Sequence, residues 1–507
     1  MGVHQSQNQL FSYRVKLEPR MRRDHPLRRL AAAIDFAFVR AEGARCYGRN
    51  GNVGLDPVVL LKWMFLLFYD DVARERELME RLPERLDYLW FSGYGLEDAV
   101  PDHSVLSKAR RRWGRDVFAR VFVHTVQQCV QAGLVDGRKI HVDSSLIDAN
   151  ASRQSVTKSS PELIAAYKEA YAAQESKLED RTTHPGYQAI NDQTVSPTDP
   201  DAALARKGGG PGRPRYHHHR AVDDAAGVIT AVETTPGSIA ESSQLMNLVQ
   251  QHQTNTGTAA TTAVADGAYG TAENLAACME AGIAPHLGEG QIKGRRPEAA
   301  AHFFPEDKFI YEAVSASHQC PAGQKLVRQR LHPYRGTVAY TAGKITCRNC
   351  ALRSQGTTAQ MGRTLQRHPK EERIQQGRRP AQSAAAQRDR RRRQHLMEGS
   401  FTQAANEHGF KRSRWRRQQI QDWLIATVQN VKILLKATGK KNLAVLAQRF
   451  SALGRQCDAP ENGKAFARRI RRWAQMKNEH GDCLIFLFCG FPRVLRARFR
   501  CRSGATQ

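Results

Sequence analysis

The sequence predicts an α/β protein whose sheet-containing core follows an all-helical N-terminal region. Two observations carry this. Over residues 55–134 apolar side chains recur three and four apart, as on a helix face. From residue 138 that period gives way to short β-prone runs alternating with helical stretches, the grammar of a sheet with helices packed on it.

In the helical region Leu60, Leu61, Met64, Phe65 and Phe68 form one stripe, and Val117, Val121, Val126 and Val130 form another. Between them Val100-Pro101-Asp102-His103-Ser104 breaks the chain. Ser104 is the expected N-cap of a short basic helix, Val105 to Trp113, carrying Lys108, Arg110, Arg111 and Arg112. These four cations are candidate DNA contacts; a solvated charged face is the competing reading. The strands expected next are Lys139 to Asp143, Tyr216 to Val222, Val228 to Glu233 and Thr261 to Asp266. The second and third form a hairpin turning at Asp223-Asp224-Ala225-Ala226-Gly227, and a helix from Glu241 to His252 leads to the fourth. Gly267 to Gly270 then turn into a helix from Thr271 to Ala281.

Two stretches interrupt this order. Residues 150–215 hold one helical piece near Ser160 to Glu179 and a run ending Lys207-Gly208-Gly209-Gly210-Pro211, expected to be a mobile surface loop. No Gly-Lys-Ser or Gly-Lys-Thr follows those glycines, so they do not form a phosphate-binding P-loop. The expected organisation is a helical domain over 1–136, a core over 137–290, a basic cysteine-containing insertion over 291–390, closing core helices over 391–437 and a basic tail over 438–507 with no assigned fold. The closing helices are Met397 to Glu407 and Gln418 to Lys436, the latter with Ile420, Trp423, Leu424, Val428, Val431 and Leu435 on one stripe.

The 507 residues include 77 Lys and Arg against 49 Asp and Glu, a net charge of +28, which points to a polyanionic partner. DNA is the natural one, because each phosphate neutralised releases counterions; ribosome-like or membrane-surface association is the bland alternative. The ten cysteines are scattered, and the N-terminus lacks the order of a secretion signal, so a cytoplasmic, reducing compartment is expected. Gly2 fits a loose myristoylation pattern short enough to arise by chance. The apolar runs Val58 to Phe68 and Cys483 to Phe491 fall short of the roughly 20 residues of a membrane span, so no membrane partner is expected.

Metal-assisted phosphodiester cleavage needs carboxylates brought from different elements to one point, where divalent ions roughly 4 Å apart serve the attacking and leaving oxygens. Alternation in Ile140-His141-Val142-Asp143 puts His141 and Asp143 on one face, with Asp143 at the strand's end. Asp266 stands likewise after Thr262-Ala263-Val264-Ala265, and Glu398 opens a helix. Taken alone, each acid reads first as a solvated turn or helix-start residue. Asp148, Asp223 and Asp224 compete for the same role, the last two weakly, since a hairpin turn favours Asp for local hydrogen bonding.

The segments Ile140 to Ser145, Val264 to Tyr269 and Met397-Glu398-Gly399-Ser400-Phe401 resemble, in this order, the three catalytic blocks of bacterial insertion-sequence transposases of the DDE kind, close to the group called eleven-eighty-two. Leu55 to Lys62, Val100 to Ser104, His219 to Asp223, Lys411 to Trp415 and Gln429-Asn430 are also similar to that family. The resemblance runs from about residue 10 to residue 437. It implies a ribonuclease-H-like mixed sheet core, an N-terminal domain that binds the element's terminal inverted repeats, and cleavage that frees a 3′ hydroxyl for joining to target DNA. It implies Asp143, Asp266 and Glu398 as ligands of Mg2+ or Mn2+, two ions in all, and a homodimer or larger assembly on DNA. Alternatives are a ribonuclease-H-like nuclease or resolvase that cuts without joining, or a DNA-binding protein with impaired catalysis. Many relatives have an arginine four residues before the glutamate and a lysine seven after it, where this chain has Gln394 and Ala405. Arg393 and Lys411 are the candidate substitutes, with Arg412 and Arg414 as further DNA contacts.

Cys347-Arg348-Asn349-Cys350 has the spacing of half a zinc site, and Cys320 is a candidate third thiolate. Relatives have a further cysteine where Gly356 stands, which leaves His318 or His368 as candidate fourth ligands; free thiols are the alternative. His217, His218 and His219 alternate across the sheet and so cannot share a metal.

Overall fold

A computed structural model of the chain describes residues 16–47, 54–174, 194–206, 208–288, 303–332, 337–411, 413–415 and 418–455. Gly2, Arg412, the far end of the helical piece near Ser160 to Glu179, and most of the basic tail lie outside these residues. Internal contacts divide the chain into residues 1–436 and 437–507.

The helical region holds α1 (Pro26–Ala33), α2 (Phe38–Gly43), α3 (Pro57–Tyr69), α4 (Glu75–Arg81), α5 (Leu86–Ser92) and α6 (Ser104–Gln131). Asp56 starts α3: its carboxylate accepts the Val58 N–H at 2.9 Å, and Pro57 occupies the first turn, where a missing N–H costs nothing. The expected single stripe on α3 is too narrow. Val59, Trp63, Leu66 and Leu67 are buried as well, so the helix is enclosed on nearly all sides. At α6 Ser104 is the first helical residue rather than the cap; its N–H donates to Asp102 at 2.9 Å. The short basic helix is the first part of this long element, bounded by a kink at Gly114, whose φ of 65° suits glycine.

The main sheet contains β1 (Lys139–Asp148), β4 (Ala203–Ala205), β5 (Arg213–Asp223), β6 (Ile229–Pro236), β7 (Thr262–Ala265) and β8 (Ala284–Leu287). Across it the order is β6-β5-β1-β7-β8, with β4 also on β5. β1, β7 and β8 are parallel, and β5 runs antiparallel between β1 and β6. This is the mixed sheet of a ribonuclease-H-like core, as expected. The expected hairpin is β5–β6. The stretch expected to be a loop is partly ordered, with β2 (Thr157–Lys158) paired to β3 (Thr194–Val195) and α7 at Pro161–Gln174.

α8 (Leu245–Thr256) and α9 (Ala272–Glu280) cover one face, where Ile140, Val142, Ala221, Ala263 and Ala265 pack with Leu245, Leu248, Leu275 and Ala276. Residues 303–367 form a separate antiparallel sheet, β9 (Ile310–Glu312), β10 (Ser317–Gln319), β11 (Lys325–His332), β12 (Thr337–Thr341) and β13 (Thr364–Arg367), with the short helices α10 (Lys344–Arg348) and α11 (Arg353–Gly356). α12 (Glu371–Gln382), within the stretch expected to be insertion, instead returns to the core: Ile374 and Ala381 join the apolar cluster of α8 and α9.

The other face is covered by α13 (Ala384–Glu407) and α14 (Gln419–Arg455), where Met397 and Ala426 meet Val222, Ile229 and Val232 together with Phe122 and Val126 of α6. The core of the helical region continues into Ile420, Leu424, Ile425, Val428 and Val431 of α14. At this seam His408 is fully buried, with Nδ1 2.8 Å from the Phe68 carbonyl, and burial pushes its pKa down to about 4. The unfolded chain therefore takes up the proton first. Stability contributed by neutral His408 is present above the ordinary value of 6.5 and is lost as pH falls toward about 4. The urea midpoint should drop over that window, and His408→Gln should flatten the drop; an unchanged pH profile in the variant would refute the assignment.

Candidate functional site

Strand register brings the first two acids together. β1 and β7 are parallel neighbours with His141 opposite Val264, so Asp143 and Asp266, two residues further on, leave adjacent strands on the same side. Asp266 turns its backbone into a short helical turn and accepts the Ala268 N–H at 3.0 Å. Gly288, at the end of β8, packs against that turn; a Cβ there would come within 2.5 Å of the Gly267 nitrogen. Asp143 accepts the Ser144 N–H at 2.8 Å through one oxygen, and Arg393 of α13 donates to the other at 2.7 Å. Burial holds the Asp143 carboxyl above the usual carboxylate range; Arg393 and the Ser144 N–H oppose this, while the charges of Asp266 and Glu241 add to it.

Glu398 occupies a different position. Along α13, Asp389, Arg393, Met397 and Ser400 face the sheet, since Asp389 meets Lys139 and His286, and Ser400 meets Arg220. Arg392 and Leu396 lie toward the hairpin turn, against Asp224 and Gly227. Helical spacing puts Glu398 nearly opposite Leu396, on the flank toward the outgoing ends of β1 and β7. It is exposed there, and Gln394 donates to it at 3.1 Å. Among the described residues no three His, Cys, Asp or Glu side chains lie close enough to hold a metal ion. The structure thus sets Asp143 beside Asp266 and leaves Glu398 exposed on another flank of α13.

Two residues of this region escaped the sequence reading. Glu241 accepts a hydrogen bond from the Ser144 hydroxyl. Its only signal was a position at the start of an expected helix. Arg220, opposite Asp143 in the register, is completely buried. It donates to His218 Nε2 at 2.9 Å, to Ser400 Oγ at 2.7 Å and to Gln429 Oε1 at 3.2 Å, and lies over the Phe401 ring. His218 Nδ1 lies 2.8 Å from Asp422, also fully buried. Burial depresses the imidazole pKa. A neutral ring accepts from Arg220 through Nε2 and faces Asp422 through Nδ1, while Arg220 Nη2 is buried without a partner among the described residues.

The competing acids have local work. Asp223 accepts the Ala225 and Gly137 N–H groups at 2.9 and 2.8 Å, Asp224 pairs with His141 and Arg392, and Asp148 pairs with Arg215 at 2.6 Å. The three consecutive histidines alternate as expected. His217 reaches the Ile239 carbonyl and His219 reaches Thr235, whereas His218 faces α14.

Among the basic residues, Lys108, Arg111 and Arg112 are exposed on one face of α6, and Lys411 is also exposed. Arg110 and Arg414 are committed internally, a correction to their expected place at a DNA surface. Arg110 pairs with Glu75 and lies 4.0 Å over the Trp415 ring; Arg414 binds Asp71 at 2.8 Å and the Val72 carbonyl. Cys320, Cys347 and Cys350 line one cavity in the second sheet region. His318 sits between the Tyr311 and Tyr340 rings, and His368 Nδ1 accepts the Lys370 N–H at 3.1 Å.

The profile described as Transposase domain (DUF772) matches residues 15–112. Two profiles described as Transposase DDE domain match residues 183–330 and 319–435. Asp266 and Glu241 fall in the first of these and Arg393 and Glu398 in the second; Asp143 lies outside all three. No curated protein matches the chain. Among the described residues no helix is long and apolar enough to cross a membrane.

Proposed function

This chain is an insertion-sequence DDE transposase, an enzyme that acts on DNA in transposition with divalent metal, and from that premise we propose that Asp143, Asp266 and Glu398 form its metal-binding centre. The observation that supports this most is the parallel register that sets Asp143 beside Asp266. Carboxylate oxygens suit a hard cation, and Mg2+, with Mn2+ as its substitute, is the ion proposed, two per site. When bound, the ions supply an activated hydroxyl and charge stabilisation at the leaving oxygen. The chain's own side chains hold and orient. Arg393 keeps the Asp143 carboxylate ionised and in place, and on release from it can take a backbone phosphate. Gln429, Ser400 and Arg220 fix α13, the helix that carries both Arg393 and Glu398.

The substrates proposed are the element's terminal inverted repeats and target DNA. Full-length protein should release 3′ hydroxyl ends from such DNA and join them to a second duplex with Mg2+ or Mn2+, and do neither in chelator. Metal-independent cleavage would overturn the centre, and cleavage without joining would favour a nuclease. Nothing among the described residues favours that alternative or a purely DNA-binding protein. Because joining requires two element ends in one complex, a homodimer or larger assembly is proposed; a DNA complex with the mass of one chain and two ends would exclude it.

Residues 1–136 are proposed to hold the repeats, with the exposed Lys108, Arg111 and Arg112 on phosphates. Changing all three to Ala should lower the slope of log affinity against log salt by about 2 to 3, equally for repeat and unrelated DNA. An unchanged slope would assign them to a solvated face. The shared cavity lined by Cys320, Cys347 and Cys350 supports a zinc proposal for these thiols: metal analysis of purified protein should find close to one zinc per chain, lost in Cys347→Ser. Zinc-free protein with the second sheet intact would mean free thiols.

A further inference from the structure

The basic run Arg388 to Arg393 lies along α13, and its members have different surroundings. Arg390 donates to the Leu287 carbonyl at 3.2 Å and to the Ala381 carbonyl at 2.7 Å. Arg392 pairs with the Asp224 carboxylate and donates to the Asp224 carbonyl at 2.6 Å. Each of these two is held by two acceptors, whereas Arg388 and Arg391 are exposed. Arg393 fits neither pattern. Its side chain is only 13% exposed, yet among the described residues its one partner is Asp143, reached through Nη1, and its Nε is buried with none. A buried donor left unpaired is destabilising by about 1–3 kcal/mol, so the ion pair satisfies this guanidinium incompletely. A backbone phosphate offers two oxygens to the same fork.

The pair also closes Asp143. One carboxylate oxygen accepts the Ser144 N–H at 2.8 Å and the other accepts from Arg393 at 2.7 Å. A guanidinium at that distance repels a second cation from the same oxygen. No three acids among the described residues lie close enough to hold a metal ion, so the arrangement is that of a centre closed to metal.

We propose that the Arg393–Asp143 ion pair is an autoinhibitory latch: it keeps Asp143 from a metal ion while no DNA is bound, and a DNA phosphate that takes Arg393 releases Asp143. Phosphate and ion then break the same pair, so the binding of either favours the other. The inference rests on the reading of Asp143 as a metal ligand.

The test is Mn2+ binding to the full chain without DNA, followed by electron paramagnetic resonance of the free ion. Arg393→Gln should bind Mn2+ about fivefold or more tightly than wild type, whereas Arg392→Gln, which removes an equal charge from the next position, should match wild type. If Arg393→Gln gains nothing, or gains no more than Arg392→Gln, the latch is overturned and Arg393 only secures α13 or lowers the general field. A second measurement is the affinity for a pre-cleaved element-end duplex, by anisotropy at constant ionic strength. Saturating Mn2+ should tighten duplex binding to wild type about fivefold, and this linkage should shrink toward unity in Arg393→Gln. Should Arg393→Gln fail to fold, wild-type protein still decides, because duplex affinity that Mn2+ leaves unchanged would overturn the latch. Asp143→Asn separates the latch from the reading beneath it. If that variant binds Mn2+ like wild type, Asp143 is not a ligand and the underlying reading fails. If it loses Mn2+ while Arg393→Gln gains nothing, only the latch falls.

Discussion

Asp143→Asn should lower both strand cleavage and strand joining by about a thousandfold or more, while DNA affinity stays within a few-fold of wild type. Asn preserves the volume and can still accept the Ser144 N–H, so the loss isolates the negative charge. The half-buried carboxylate is held by Arg393 at 2.7 Å and sits in register with Asp266, and a neutral amide gives a hard cation far less. DNA affinity should survive because it draws on a chain of net charge +28, and one acid fewer cannot weaken that attraction. The measurement is a single-turnover assay on end DNA beside a filter-binding or anisotropy titration. Retention of both reactions by Asp143→Asn would remove it from the centre. Loss of DNA binding in parallel would point to unfolding instead, which the urea midpoint of the variant checks.

Arg220→Met should cost about 3–5 kcal/mol of stability, the range seen when a buried charge loses its compensating partner, here linked to it through His218. Methionine fills much of the space but removes the buried cation nearest the His218–Asp422 pair, leaving the fully buried Asp422 carboxyl with Thr234 and Gln418 as its side-chain donors among the described residues. It also cuts the bond to Ser400 that secures α13. The double variant Arg220→Met, Asp422→Asn should recover part of the loss, because the orphaned charge goes with it. Urea denaturation of the three proteins decides this. A single variant within about 1 kcal/mol of wild type, or a double variant whose losses simply add, would show that Arg220 and Asp422 are not coupled.

Local chemistry made much of the site legible. Asp143 and Asp266 stand at the ends of β-prone runs, Asp56-Pro57 announces a capped helix, and Asp223-Asp224 announces a turn; each signal lies within a few residues, where alternation, capping and turn geometry act. The split of His217, His218 and His219 between two faces follows from the same period of two. Glu241 and Arg220 gave no such signal. Glu241 meets Ser144 across 97 positions, and Arg220 meets Ser400 and Gln429 across 180 and 209. Arg110 and Arg414 misled for the converse reason: a run of basic residues looks exposed until an acid and an aromatic ring from elsewhere close over one of them.

The sequence by itself determined the α/β order, the flanking helices, the two strand-end acids and the basic character that calls for DNA, because each depends on periodicity or charge along the chain. That the sheet is mixed followed only from the family resemblance. Only the tertiary structure decided that β1 and β7 pair in the register that sets Asp143 beside Asp266, and that Arg393 reaches Asp143 while Glu398 stays exposed on another flank of α13. It alone placed Glu241 against Ser144. Register and helix rotation are set by packing between segments hundreds of residues apart, and no local preference encodes them.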